Sequence, residues 1–135
     1  MTGPSDARQR TLDLQARALR FSVAVNRLCP KTFSDLPSTV VWGQLVRAAD
    51  SVSNNLLEAD DASSTADFVY RMKLTLRETK EPKQCLAKLR MSCLDGSSSS
   101  EPLEREAAEL SAIFAAIVLN VSRRQERERR RRPPP

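Results

Sequence analysis

The stretch "QLVRAADSVSNNLLEADD", residues 44–61, decides the fold class because its apolar residues recur with the period of an α-helix. Leu45 and Val52 are seven residues apart, so two helical turns place them on the same side. Ser51 and Glu58 have the same separation and form a polar row beside the apolar stripe. The stretch therefore predicts an amphipathic helix whose buried face is flanked by polar side chains.

The composition of the chain favours helices throughout. Its 135 residues are enough for one domain with a buried core. Hydrophobic residues make up 40% of the chain and aromatic residues only 4%, and glycine occurs three times. Strands favour β-branched and aromatic residues, whereas Leu, Ala, Arg and Glu are good helix formers. The composition therefore predicts an all-α protein.

Four amphipathic segments follow one another with short connections. The first begins near Asp6, the second after Pro37, and the third after a cap at Ser63 or Ser64. The fourth follows the loop "DGSSSSEP", residues 95–102, where glycine is expected after a helix end. The terminal prolines stop it. Because short connections make consecutive helices antiparallel neighbours, we predict an antiparallel up-down-up-down four-helix bundle.

Pro82 interrupts the third segment. Proline lacks the backbone N–H that a helix interior uses, and its ring clashes with the preceding turn, at a cost of roughly 3 kcal/mol. The apolar register nevertheless continues through Leu86 and Leu89 without a change of phase. We therefore predict one third helix that is kinked near Pro82, with two separate helices as the alternative.

The first two helices carry more apolar surface than one bundle core requires. Besides a stripe through Phe21, the first helix has a second stripe made of Leu12, Ala16, Leu19 and Val23. The second helix likewise has Val46, Ala49 and Leu56 beside its main stripe. Exposed apolar surface of this extent is typical of contact regions between proteins. The doubled stripe therefore predicts self-association.

The positive charge of the chain lies at its C-terminal end. The formal charge is +5, and "RRQERERRRR", residues 123–132, carries all of it, so the remaining residues are balanced. We divide the chain into a bundle domain, residues 1–122, and a basic tail, residues 123–135. A basic tail on a neutral body predicts RNA or DNA as its partner through phosphate contacts. The candidate nucleic-acid-binding residues are Arg123, Arg124, Arg127, Arg129, Arg130, Arg131 and Arg132.

Missing residue types argue against catalysis. The chain has no histidine, which removes Ser-His and Cys-His pairs and Glu-x-x-His di-iron motifs, and no Gly-rich phosphate loop. Glu58, Asp60 and Asp61 could hold a cation, but solvated charges at a helix end are the simpler interpretation. We therefore predict no enzyme activity, no metal and no cofactor.

Single cysteines and aromatics are expected to pack. Cys29, Cys85 and Cys93 show no CxxC spacing and cannot all pair, which favours a reducing compartment and predicts the cytoplasm. All three fit apolar helix positions, and Trp42 and Tyr70 are likewise predicted to pack rather than to stack on bases. No apolar run is long enough for a bilayer, and no signal peptide is evident, so no membrane contact is predicted.

The opening stretch resembles a signature of the bacterial four-helix bundle proteins first noticed in intervening sequences of large-subunit ribosomal RNA genes. That signature reads approximately Q-L-x-R-x-x-x-S-I-x-x-N-x-x-E-A. Valine stands in this chain where the signature has isoleucine. The matching positions are Gln44, Leu45, Arg47, Ser51, Asn55, Glu58 and Ala59.

A second block, "FVYRMKLTLRETKEPKQCLAKL", resembles the family's F-x-x-x-L-x-I-A-L-K-E-A-x-E-S-x-Y-W-L. Its agreeing positions are Phe68, Leu76, Glu78, Glu81 and Leu86, and Arg77 replaces lysine. Pro82 and the loss of the aromatic pair depart from the family pattern, and the arginine tail lies outside it. The resemblance therefore implies no function for the region around Pro82 or for the arginine tail.

The resemblance implies a protomer that assembles into a pentameric ring. It also implies a relation to the accessory protein of diversity-generating retroelements, which binds a reverse transcriptase and nucleic acid. A homopentamer is thus the preferred assembly and a reverse transcriptase a candidate partner. The polar row would then connect helices or protomers, because a buried polar group needs a partner and so fixes register. The predicted network comprises Arg47, Ser51, Asn55, Glu58, Arg77 and Glu78.

Two functional hypotheses follow. The preferred one is a non-enzymatic assembly or adaptor protein that contacts nucleic acid or a nucleic-acid enzyme. The alternative is a purely structural homo-oligomer whose tail only aids solubility, since charge runs are often no more than solvated faces. Salt-dependent RNA binding that is lost when residues 123–135 are removed distinguishes the two.

Overall fold

The computed structural model describes residues 2–95 and 99–135. Its helices are α1 (Asp6–Leu28), α2 (Leu36–Asp60), α3 (Thr65–Met91) and α4 (Glu101–Arg131), and the described ranges contain no strand. The prediction of an all-α, four-helix protein is confirmed. The loop predicted over 95–102, with its glycine, falls partly on residues 96–98, outside the described ranges.

Polar side chains cap the first three helices as the sequence indicates. The hydroxyl of Ser64 accepts a hydrogen bond from the backbone N–H of Asp67 at 3.0 Å, which confirms the predicted cap of α3. Asp35 caps α2 in the same manner, and α2 begins at Leu36. The predicted start after Pro37 is therefore slightly late, because proline fits the first turn of a helix, where its missing N–H has no partner to lose.

The apolar core is richest between α2 and α3. Trp42 is fully buried, and its ring N–H donates to the backbone carbonyl of Leu94 at 3.3 Å, so its predicted packing role is confirmed. Tyr70 is 61% exposed, so the same prediction is wrong for it. The reason is the helical period: Val69 and Met72 take the inward positions on either side of Tyr70.

Ion pairs join the helix ends. Arg8, at the start of α1, binds Asp60, at the end of α2, at 2.7 Å. Arg90, near the end of α3, binds Glu104, near the start of α4, at 2.9 Å. These pairings favour antiparallel neighbours, although the complete up-down-up-down order stays a prediction. Within the described ranges, no helix combines the length and apolarity needed to cross a bilayer.

α3 continues through Pro82, whose ring is fully buried. The predicted single helix is confirmed, and the alternative of two helices is wrong; the kink itself stays a prediction. Two buried hydroxyls on the same side bond within the helix: Thr75 donates to the carbonyl of Arg71 at 2.9 Å, and Thr79 to that of Thr75 at 2.6 Å. Such bonds satisfy the buried hydroxyls without a partner from another helix.

The end of α3 differs from the sequence expectation. Cys93 lies beyond the helix with φ of 54°, in the left-handed region, and the N–H of the next residue, Leu94, donates to the carbonyl of Leu89 at 2.8 Å. This bond is the six-to-one closure of a helix C-terminus. Cys93 is exposed, so its predicted core position is wrong, because α3 ends at Met91. Cys85 is buried, as predicted, and Cys29 is half-buried.

Candidate functional site

The polar row lies on the flank of α2 that borders α3. Ser51 and Asn55 are half-buried there, beside the fully buried Val52. A different flank of α2 faces α1, where Asp50 accepts a hydrogen bond from the buried hydroxyl of Ser22. The row is thus neither in the core nor fully in solvent, because helical period places it at the boundary between the two.

Glu58 is the residue of the row that meets a partner on α3. Its carboxylate accepts a hydrogen bond from Arg71 at 3.0 Å, a residue outside the predicted network. Arg71 also binds Asp67 on its own helix at 3.2 Å. The Glu58 side chain is 60% exposed, so this pair contributes only modestly to stability.

The rest of the predicted network is not assembled within one protomer. Ser51 donates to the carbonyl of Arg47 on its own helix at 3.1 Å. Asn55 and Glu78 are half-buried but have no side-chain hydrogen bond to any residue in 2–95 or 99–135, and the exposed guanidinium of Arg77 has none either. Asn55 and Glu78 therefore carry half-buried polar groups that no side chain in the described part of the chain pairs.

The second apolar stripe of α1 is exposed. Leu19 is 56% exposed, and Leu12 and Val23 are also exposed, while Ala16 is half-buried. The stripe through Phe21 is the one that enters the core. The surplus apolar surface expected from the sequence is therefore present on the outside of the protomer.

The basic tail continues α4 as a helix. Val121 is the last buried residue, and the helix continues to Arg131, with every arginine from residue 123 onward exposed. Arg123, Arg127 and Arg130 are spaced by four and three residues, so they share one face. Arg130 binds Glu126 at 2.7 Å. The predicted division between residues 122 and 123 thus falls inside a continuous helix.

Other candidate chemistry is sparse. Burial raises the pKa of the Cys85 thiol, which disfavours the reactive thiolate. Glu58 and Asp60, considered above as cation ligands, each bind an arginine, Arg71 and Arg8 respectively. Among the described residues no group of three or more His, Cys, Asp or Glu side chains could hold a metal ion.

Comparisons with known proteins give one family and one fold. Residues 10–116 match the sequence model of the 23S rRNA-intervening sequence protein family. The fold is similar to the crystal structure of a protein of unknown function from the S23 ribosomal protein family of Bacteroides thetaiotaomicron, with a TM-score of 0.69 and 23% identity. The similarity covers 80% of this chain and 96% of that one. No curated protein sequence matches the chain significantly.

Proposed function

Because this chain belongs to the 23S rRNA-intervening sequence protein family, we propose that it is a non-enzymatic, homo-oligomeric assembly or adaptor protein. In this proposal it contacts nucleic acid or a nucleic-acid enzyme such as a reverse transcriptase. The observation that carries the proposal is the polar flank of α2 and α3, where Asn55 and Glu78 are half-buried without side-chain partners in the described part of the protomer. Such groups favour a second subunit that completes them.

A ring explains two unlike surfaces better than a two-fold dimer. The exposed stripe of α1 is apolar, whereas the flank of α2 is polar, and the two lie on different helices. A two-fold interface uses the same patch twice, but a cyclic assembly joins two different patches head to tail. We therefore prefer a cyclic homo-oligomer. The number five rests on the family resemblance of the Gln44-to-Ala59 signature.

The arginine face of α4 supplies the nucleic-acid contact in this proposal. Arg123, Arg127 and Arg130 project from one side of a helix, where phosphate groups can reach them. A ring would present several copies of this face, and simultaneous contacts raise affinity without any new chemistry. The solubility alternative is favoured by the Arg130–Glu126 pair, which already neutralises one of these charges.

The nucleic-acid hypothesis is tested with the full chain and a 20-nucleotide single-stranded RNA. Arg123→Gln, Arg127→Gln and Arg130→Gln together keep the helix but remove three charges. If all three contact phosphates, the slope of log affinity against log salt concentration should fall by about 2, because each contact contributes roughly 0.7 on single strands. Fluorescence anisotropy at several salt concentrations measures the slope.

The matched control changes three exposed lysines of α3, Lys73, Lys80 and Lys83, to glutamine. This control should leave the slope nearly unchanged. An equal loss in both variants would mean that the attraction is diffuse, and the absence of RNA binding by the wild type would favour the purely structural alternative.

The assembly hypothesis is tested with Asn55→Ala and Glu58→Ala, measured by light scattering over a dilution series. Asn55→Ala should strand a partner across the subunit boundary, at a cost of about 1–3 kcal/mol, and should shift assembly to higher protein concentration. Glu58→Ala releases Arg71 of the same chain, so its effect on assembly should be smaller. Asn54→Ala is the matched control, because Asn54 is the exposed neighbour. A wild-type monomer at micromolar concentration rules out the oligomer. If both variants assemble normally but lose a ligand, the row is a recognition site instead.

A further inference from the structure

A groove separates α1 from α4 on the outside of the bundle. Leu14, Ile113 and Ile117 form its apolar floor and stay half-buried, and the groove encloses about 530 Å³. At Arg20 it meets a second concavity of about 600 Å³, whose lining includes Leu28. Arg20 lines both concavities, so they adjoin each other along α1.

The edge of this groove is cationic. Arg10, Arg20 and Arg27 are exposed, and none of them makes an ion pair within the described ranges. Arg17, by contrast, is held by Glu106 at 2.6 Å. Asp13 also borders the groove, where it accepts a hydrogen bond from Gln9 at 2.8 Å. Among the lining residues the three unpaired guanidinium groups outnumber the single carboxylate of Asp13. Glu106 and Glu109, beside the edge, both pair with Arg17.

The spacing of these arginines defines the length of a fitting partner. Arg10 and Arg20 are ten residues apart and Arg20 and Arg27 seven, which corresponds to about 15 Å and about 10 Å along a helix. The edge thus extends over about 25 Å, the length of a helix of about 17 residues. An elongated apolar floor of this size suits the apolar face of an amphipathic helix.

We propose that the α1–α4 groove docks an acidic amphipathic helix of another protein. The apolar stripe of that helix would cover Leu14, Ile113 and Ile117, while Glu or Asp side chains on its flank meet Arg10, Arg20 and Arg27. The positive charge along the groove edge favours an acidic helix over a basic one. Phosphate groups would gain nothing from a floor of Leu and Ile, and the arginine-rich end of α4 from a second copy would be repelled by the edge.

This docking surface requires neither the polar row nor the arginine tail, but its second concavity is lined by Leu19 and Val23, which belong to the exposed stripe of α1. The proposed ring uses the same stripe, so the two proposals compete for this part of α1, and the oligomeric mass of the triple variant below distinguishes them. The chain contains two isoleucines, Ile113 and Ile117, and both lie on the groove floor. Isoleucine methyl signals in an NMR spectrum therefore report on the groove floor and on the core that it covers.

The test uses an 18-residue fluorescent peptide with leucines at alternating spacings of three and four and glutamates on both flanks. A charge-inverted peptide has lysines in place of the glutamates. The acidic peptide should bind the full chain at least tenfold more tightly than the basic peptide and should shift both isoleucine methyl signals. The triple variant Arg10→Glu, Arg20→Glu, Arg27→Glu should reverse the preference between the two peptides.

Lys73→Glu, Lys80→Glu and Lys83→Glu on α3 provide a control of equal charge change and should keep the wild-type preference. The proposal is overturned if both peptides bind equally, if the methyl signals do not move, or if RNA moves them and displaces the peptide. It is also overturned if the triple variant changes the oligomeric mass, since the groove would then join copies of this chain. A failed peptide test with intact tail-dependent RNA binding leaves the proposed function standing.

Discussion

The α2–α3 side and the α1–α4 side of the bundle are built from different interactions. On the first, Trp42 and Leu86 are fully buried. On the second, Leu14 and Ile117 stay half-buried beside a groove, and Arg17 bridges the helices through carboxylates of α4. Apolar burial supplies most folding free energy, whereas exposed ion pairs supply little. Because α1 and α4 also bury Phe21 and Phe114 in the common core, the difference lies in the outer seam between α1 and α4, which should contribute less to stability where the groove leaves it open.

The largest expected effect comes from truncating one leucine on each side. Leu86→Ala, in α3, removes a fully buried side chain and should cost about 2–5 kcal/mol in free energy of unfolding, because the site cannot collapse completely. Leu14→Ala, on the groove floor, should cost clearly less, since its side chain is already partly in water. Urea denaturation at one fixed protein concentration measures both.

Equal losses in free energy of unfolding for Leu86→Ala and Leu14→Ala would contradict the difference between the two sides. They would mean that a subunit or another partner covers the groove in solution, so that Leu14 is as buried as Leu86. Repeating the measurement after dilution separates these cases, because burial in an oligomer makes the loss depend on concentration.

A smaller effect is expected at Pro82, which lies inside α3 and lacks the backbone N–H that a regular helix uses. Pro82→Ala restores the bond to the carbonyl of Glu78 and removes the ring clash, a gain of about 3 kcal/mol in an ordinary helix interior. The buried ring loses two methylene groups, which costs about 1.6 kcal/mol. The variant should therefore be more stable by about 1 kcal/mol and melt a few degrees higher.

Lys83→Ala, at the exposed neighbouring position, should be nearly neutral and serves as the control. A crystal structure of Pro82→Ala should show a straighter α3 than the wild type if Pro82 kinks the helix. A lower melting temperature would show instead that α3 packs against a bend that the proline maintains.

Local patterns predicted the helices, but they could not predict contacts between distant segments. The cap at Ser64 follows from residue type, and the continuity of α3 follows from unbroken apolar spacing. The Arg8–Asp60 pair links residues 52 positions apart, so no local pattern contains it. The groove likewise depends on how closely α1 approaches α4. For the polar row, resemblance identified Asn55, whereas the structure places it half-buried beside α3.

No local sequence pattern indicates that α3 ends before Cys93. Cys93 adopts a left-handed conformation that costs a non-glycine residue roughly 1–2 kcal/mol, and glycine at this position removes the steric cost. Cys93→Gly should stabilise the protein by about 0.5–1 kcal/mol after the entropy loss of glycine is included. Thermal unfolding of the reduced protein measures the change.

The control for this substitution is the adjacent residue. Ser92 has φ of −91°, which any residue adopts, so Ser92→Gly should give no gain and a small loss. If both variants are destabilised, the Cys93 side chain makes a stabilising contact that outweighs its backbone strain. The well-packed side would then extend further along α3 than the exposed position of Cys93 indicates.

The smallest expected effect is a pH dependence of the ion pair between the start of α1 and the end of α2. The hydrogen bond from Arg8 holds the pKa of Asp60 below its usual range. A carboxylate with a lowered pKa in the folded state stabilises the protein fully above its unfolded pKa of about 3.9, and this contribution is lost as pH falls through the folded value.

Arg8 is 47% exposed, so the contribution should be less than about 1 kcal/mol. Asp60→Asn should therefore be slightly less stable than wild type at pH 7, and the difference should shrink as the pH falls below the unfolded pKa of about 3.9. Asp61→Asn, beside it, should show a smaller difference, because its carboxylate makes no side-chain hydrogen bond within the described ranges. A difference between Asp60→Asn and wild type that stays constant from pH 7 to pH 2 would mean that packing, rather than the ion pair, holds the ends of α1 and α2 together.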